Sequence, residues 1–444
     1  MKKKIVAILL AASMCLTMGL AGCSGEPSAP AGSSTAPSSS QQESSEPAGT
    51  PASTPDAEKP SGEVTLWTGT WNETLLPELL DKGYYAEYPD VKVSAEYYPW
   101  DGMEDKYMVA MQANAVPDVI DVAVAWTIPY AKMGKVQKLN DYFDKYGVDV
   151  NDFYDGPMQT LTVDGGYYAI PYRTEAMTMF YNKKLFREAG LDPEDPPETW
   201  AEMTEMAKKL TKGDVSGFGL CGTQSGNVTA QIYGNMFSNG VKLLNDDMTK
   251  VTFNTPEGVE ALQAWSDMFT KERCVPASAL ENDNTTNRNL FTEEKIAMYI
   301  SGSYDLAPIK EANPNIEMGF CFVPKLKDYA VQAGGWNICL TTNAKNPEAA
   351  FTVMNYLTST EIGPEYSSTL SSRKSSANNP KYSDPDLKIF IDALQYGTAL
   401  PGSAKMTAIT NVVYNHAQAV LAGTKDAATA LADAEAECNE LLAE

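Results

Sequence analysis

The sequence predicts an α/β protein of two lobes. Three observations lead there. The stretch from about Gly62 to Glu444 exceeds one small core at roughly 100 to 200 residues per domain. Strand-like and helix-like segments alternate along it, the pattern of an α/β fold. The chain is 43% hydrophobic with ordinary glycine and proline, a globular composition.

The start of the chain has a different character. Lys2 to Lys4 precede an apolar run from Ile5 to Leu20, too short for a good membrane span, and small residues follow. Residues 1–22 therefore read as a secretory leader. Leu20-Ala21-Gly22-Cys23 resembles the lipobox of bacterial lipoproteins, in which the cysteine thiol is acylated and becomes the new N-terminus. That resemblance implies a mature chain beginning at Cys23, held to the outer face of the cell membrane by lipid such as palmitate. Residues 23–61 are rich in Ser, Pro, Ala and Gly and cannot bury enough apolar surface to offset their ordering entropy, so they read as a flexible tether. Nothing later has the length and apolarity of a second span.

The folded body opens as βαβαβ. Val64 to Trp67 is a β-rich run bounded by Gly62 and Gly69, and Asn72 to about Glu87 carries helical spacing at Leu75, Leu76, Leu79 and Leu80 despite Pro77. Val91 to Tyr98 alternates like a half-buried strand, Met103 to Ala113 reads as a helix, and Val119 to Val124 as a buried strand. Strands so connected are expected to be parallel. Asp164-Gly165-Gly166 between two β-rich runs signals a hairpin. Thr199-Trp200-Ala201-Glu202 is a capping box for a helix to Leu210, and Pro256, Pro347 and Pro385 stand as first helical residues behind Thr255, Asn346 and Asp384. Trp200 and Trp265 lie on the apolar faces of such helices and are assigned to the core.

Charge and cysteine usage exclude several functions. The formal net charge is −24, and loss of Lys2 to Lys4 with the leader takes it to −27, so nucleic acid is not an expected partner. Beyond Cys15 and Cys23, the scattered Cys221, Cys274, Cys321, Cys339 and Cys438 form neither a disulfide framework nor a metal cluster. Cys321 and Cys339 read as small apolar residues of buried strands. A single histidine, His416, leaves Ser-His, Cys-His and multi-histidine metal chemistry without parts. Neither a phosphate loop nor a dinucleotide fingerprint is present. No cofactor or metal is expected.

The body resembles family 1 extracellular solute-binding proteins of ABC importers, the group that includes carbohydrate- and maltose-binding proteins. The resemblance rests on the order of several stretches: Val64 to Trp67; Tyr88-Pro-Asp-Val-Lys-Val93 with Pro99-Trp100-Asp101; Ala115-Val-Pro-Asp-Val119; Tyr168 to Tyr172; Phe180 to Gly190 with Pro197 to Trp200; Ala297 to Tyr304; Gly334-Gly-Trp336; and Asn346 to Ala350. It implies a type II periplasmic-binding-protein-like fold. Each lobe would be a mostly parallel sheet flanked by helices, with a hinge between them, the first from 62–172 plus 326–370 and the second from 173–325 plus 371–444. It also implies a monomer that delivers solute to a permease and an ATPase encoded separately.

Ligands of open α/β sheets sit beyond the carboxyl ends of strands. Trp67, Trp71 and Asn72 follow the first strand, Trp100 and Asp101 the second, and Trp126 the third. A pyranose needs flat aromatic platforms beside planar hydrogen-bonding groups, which Asn72, Asp101, Arg173 and Glu175 would supply. Tyr304, Trp336 and Arg373 match positions that the resemblance places at the cleft. Other readings stand beside these. Asp118 and Asp121 could cap or end a strand, Arg173 and Glu175 could pair with each other, and the tryptophans could be core. A non-sugar solute, or hydrolysis of carbohydrate by two carboxylates, is the alternative function.

Overall fold

Two sheets organise the chain, seen in a computed structural model that describes residues 59–100, 102–223 and 226–443. The leader, Cys23, most of the tether and Asp101 lie outside the described residues. The strands are β1 (Gly62–Gly69), β2 (Val91–Tyr98), β3 (Val119–Ala123), β4 (Thr162–Val163), β5 (Gly166–Tyr167), β6 (Ile170–Ala176), β7 (Thr178–Asn182), β8 (Ser216–Gly219), β9 (Ile296–Ser301), β10 (Met318–Phe322), β11 (Val331–Leu340), β12 (Leu370–Ser371) and β13 (Gly397–Thr398). One sheet runs β12-β6-β11-β3-β1-β2, with β13 beside β11; the other runs β10-β7-β9-β8.

The expected βαβαβ opening forms: β1 pairs parallel with both β2 and β3. Parallel pairing goes little further, which corrects the expectation of mostly parallel sheets. β11 is antiparallel to β3 and β6, and β12 to β6. In the second sheet only β8 and β9 are parallel. The cause is topological. β6 and β7 are separated by Met177 alone, and β11 follows β10 after a short segment, so these strands enter their sheets from the other sheet and not over a helical crossover.

Local chemistry sets the element ends. The two-residue turn between β4 and β5 has Asp164 at φ 48° and Gly165 at φ 72°, the positive pair that a tight hairpin requires. Thr199 and Glu202 form the predicted capping box of Trp200–Leu210. Thr255 and Asp384 cap Pro256–Thr270 and Pro385–Ala393. Asn346 does not cap Pro347–Leu357; its amide donates instead to the Glu63 carbonyl of β1 (3.0 Å). The helix expected from Asn72 begins at Leu75, because proline fits only in a first turn and Pro77 sits there. Thr70–Asn72 ahead of it forms a separate 3-10 turn.

Each sheet has its own core. The first packs Val64, Leu66, Ile120, Ile338, Phe351 and Met354, and the second Met179, Phe218, Met298, Trp265 and Ile409. Trp200 and Trp265 are buried in the second, as their helical positions predict. All five cysteines of the body are free; Cys339 is buried in β11 and Cys321 half-buried in β10. Burial pushes the thiols of Cys221, Cys274, Cys321 and Cys438 up to about 12, which leaves little thiolate for nucleophilic chemistry. Among the described residues no helix is long and apolar enough to cross a membrane.

Candidate functional site

Where β1, β2 and β3 end, beside the middle of the antiparallel β11, four tryptophans converge. Trp100 follows β2 and lies flat on Trp126, with ring centroids 5.4 Å apart and planes 4° from parallel. Trp336 of β11 stands edge-on to Trp71, Trp100 and Trp126 at 4.7, 5.6 and 6.1 Å. Edge-to-face and offset contacts at these separations suit the ring quadrupoles. Trp126 and Trp336 are buried, while Trp71 and Trp100 keep part of their surface open.

Two glycines make this convergence possible. A Cβ on Gly69 would lie 2.2 Å from the Trp71 ring, so the bare backbone lets Trp71 fold back over the end of β1. Gly335 has φ 139° and passes so close to Arg173 that a Cβ would meet its carbonyl oxygen at 2.2 Å. The register of β11 against β6 shifts just beyond, between Trp336 and Asn337.

Beside the tryptophans lies a buried ion pair. The Arg173 Nε donates to Glu175 Oε1 at 2.5 Å, with a second contact through the guanidinium NH2, and both side chains are less than a tenth exposed. They flank Thr174 on β6, one turn of the pleat from the change of sheet at Met177. From the second sheet Tyr304 faces the guanidinium at 5.7 Å, its hydroxyl accepting from Asn227 (3.0 Å). The residues bond to each other, and they border the junction of the lobes.

Beneath the loop after β1, Asn72 donates to Thr68, and Thr68, Tyr172 and Tyr366 all donate to Asp121 Oδ2 (2.6, 3.2 and 2.6 Å). Burial pushes the Asp121 carboxyl up to about 6, against the pull of those hydroxyls. Asn72 is itself fully buried, its carbonyl oxygen without a partner among the described residues. Asp118 takes the strand-ending role, accepting from the backbone of Thr65 and Lys345 (2.7 and 2.6 Å).

Two expected residues stand apart from the tryptophan group. Trp67 packs into the first core against Tyr98 and Tyr107. Arg373 is buried over Phe153, and its guanidinium donates to Thr358 O (2.6 Å) and Asp152 (3.0 Å), so its donors serve the first lobe. One residue had no signal in the sequence. Glu104, on the helix Met103–Gln112, accepts from Thr407 Oγ1 at 2.9 Å, and burial lifts its carboxyl to about 7.

Residues 69–364 match the family model described as bacterial extracellular solute-binding protein. The chain belongs to this family. A solute-binding protein of Thermotoga lettingae, solved with α-D-tagatose, has 25% identity and a TM-score of 0.80, covering 86% of this chain and all of that one. The Pyrococcus abyssi maltotriose-binding protein is 25% identical over 396 residues, 84% of this chain and 81% of its own length. A Brucella abortus protein named only as a binding protein is 27% identical over 401 residues, 86% and 94% of the two chains. The fold is thus the two-lobed one of solute-binding proteins. In this solute-binding protein the ion pair meets Tyr304 where the two sheets adjoin, and Trp336 of the tryptophan group pairs with Arg173 across β11 and β6.

Proposed function

We propose that this solute-binding protein captures a carbohydrate between its lobes and presents it to an ABC permease. The observation that carries the proposal is the group of Trp71, Trp100, Trp126 and Trp336 beside Arg173, Glu175 and Tyr304. Indole faces suit the C–H face of a pyranose, while a carboxylate and a guanidinium suit its hydroxyl rim. Asn72 supports the loop that carries Trp71, and Asp101 follows Trp100 directly in sequence. Relatives that bind maltotriose, arabinooligosaccharide and diacetylchitobiose support the same solute class. Solute bridging the two lobes would favour the closed form, which the permease would recognise.

The lipid at Cys23 and the tether that follows would keep the receptor close to its permease, raising effective concentration while leaving the lobes free to turn. Labelled palmitate incorporated into the parent chain and lost in Cys23→Ala tests that part. The solute class is tested by thermal stabilisation across sugars, oligosaccharides, amino acids and polyamines. Saturation at 100 times the dissociation constant adds about 2.7 kcal/mol. A shift with amino acids or polyamines and none with any carbohydrate refutes it. Recovery of a bound oligosaccharide uncleaved separates binding from hydrolysis.

A further inference from the structure

A small space lies where two chain crossings meet. Met177, the single residue between β6 and β7, and Val331, the first residue of β11, line a cavity under the helix Gly226–Ser238. Ile300 of β9 and Val323 just beyond β10 add to its apolar wall, and Ala230 and Gly234 of the helix are too small to fill it. It leaves about 10 Å³ for the centre of a water molecule. A buried water needs on the order of 10 to 15 Å³ on that measure, together with two to four polar partners.

Two amides of that helix supply the partners. Gln231 and Asn235 stand one turn apart and so share a face, both line the cavity, and they are only 4% and 2% exposed. Gln231 Oε1 accepts from the Trp265 indole (3.3 Å) and from the Cys221 backbone (3.4 Å), which settles which end of the amide is oxygen and leaves Nε2 turned away from those donors. Gln231 Nε2 and Asn235 Nδ2 have no hydrogen-bond partner among the described residues. Buried donors left without partners carry their full desolvation cost, so two of them on one apolar cavity call for an acceptor there. A water oxygen accepts from both. With the Asn235 amide turned the other way the same water donates to its oxygen, so the site serves either orientation.

We propose that this cavity is a binding site for one ordered water, held by Gln231 and Asn235 at the crossing of the lobes. The helix is thereby joined to the crossing segments through a movable partner and not through a direct side-chain bond. Met177 and Val331 belong to segments that pass from one sheet to the other, so they shift against the helix when the lobes turn. A bridging water re-aims its hydrogen bonds as that happens, at little cost in enthalpy. The same helix begins beside the solute region, where Asn227 donates to the Tyr304 hydroxyl and that hydroxyl reaches the Met177 sulfur at 3.8 Å. The water thus sits behind side chains that face the other lobe. The site stands on the fold alone, whichever solute binds.

A crystal structure of the full chain, at a resolution that shows ordered water, tests the site directly. One peak is expected within hydrogen-bonding distance of both Gln231 Nε2 and Asn235 Nδ2. Magnetic relaxation dispersion of the water signal, which counts long-lived internal waters, gives the reading in solution. Asn235→Leu fills the space and removes one donor, so it should lower that count by one, and its crystal should lack the peak. Circular dichroism and the urea midpoint show whether the variant is folded, and the parent crystal decides alone where it is not. A parent crystal with no peak between the two amides, or with either nitrogen bonded to a protein acceptor instead, overturns the proposal. So does a peak whose strength and distances fit an ion and not water, and so does an unchanged count in folded Asn235→Leu.

Discussion

Asp121 gives the most quantitative handle on the first lobe. It is fully buried, accepts three hydroxyl donors on one oxygen, and has its other oxygen without a partner among the described residues. Burial raises its carboxyl from the ordinary value near 4 to about 6. A folded value above the unfolded one means that folding favours the protonated form. The stabilising contribution is therefore complete below about pH 4 and lost as pH rises through about 6. At roughly 1.36 kcal/mol per unit, a shift of about two units makes the charged group cost about 3 kcal/mol at neutral pH. Asp121→Asn abolishes this dependence. It also crowds three donors onto an amide oxygen, at a cost of about 1 to 3 kcal/mol that pH does not change. Urea unfolding followed by tryptophan fluorescence, from pH 4 to 7.5, should show the variant gaining on the parent by up to about 3 kcal/mol across that window. Parallel stability curves would refute the account of a destabilised buried carboxylate.

Three further outcomes follow from the same geometry. Glu175→Leu should cost about 3 to 5 kcal/mol of stability, since it strands a buried guanidinium, and Arg173→Met with Glu175→Leu should recover most of it; a double-mutant cycle by urea unfolding checks both. Gly69→Ala should push the Trp71 ring off Trp336 and weaken binding of whichever carbohydrate the screen returns, with Trp71→Ala no worse, as titration calorimetry would show. Trp336→Ala should cost that ligand roughly 1 to 3 kcal/mol by comparison with other ring-stacking sites, whereas Trp67→Phe, which changes a core ring, should leave its affinity unchanged.

The sequence made the opening strands, the capped helices and the hairpin legible because each depends on near neighbours: Thr199 with Glu202, Asp164 with Gly165, proline in a first turn. Strand direction was not legible in the same way. Antiparallel pairing of β11 with β3 and β6 depends on where the chain changes sheet, and Met177 carries no mark of that. At the site, Trp71, Trp100 and Trp126 come together because strand ends on one side of a sheet must be neighbours, and Trp336 joins them from within the antiparallel β11. Trp67 fell elsewhere because it is still within β1 and faces the core, a difference of a few residues in where the strand stops. Arg373 and Glu104 show the other limit. Their partners, Asp152 and Thr407, lie 221 and 303 positions away, and no local pattern announces such a bond.

The distribution of strong and weak contacts bears on how such a junction can both hold and release. The strongest polar contact there, Arg173 with Glu175, joins two residues of one strand, so opening the lobes does not break it. The bonds that do bridge the lobes beyond the chain crossings include Thr407 to Glu104 and Lys132 to Gly402, single hydrogen bonds with one charged partner each. Such bonds contribute about 1.5 to 3 kcal/mol each at most, and less where water competes. The indole contacts lie wholly within the first lobe, so they too survive opening. Closure without solute is then a balance of a few kcal/mol, small enough for a ligand with modest preference for the closed form to decide. A neutral hydroxyl against a carboxylate leaves the decision to the solute.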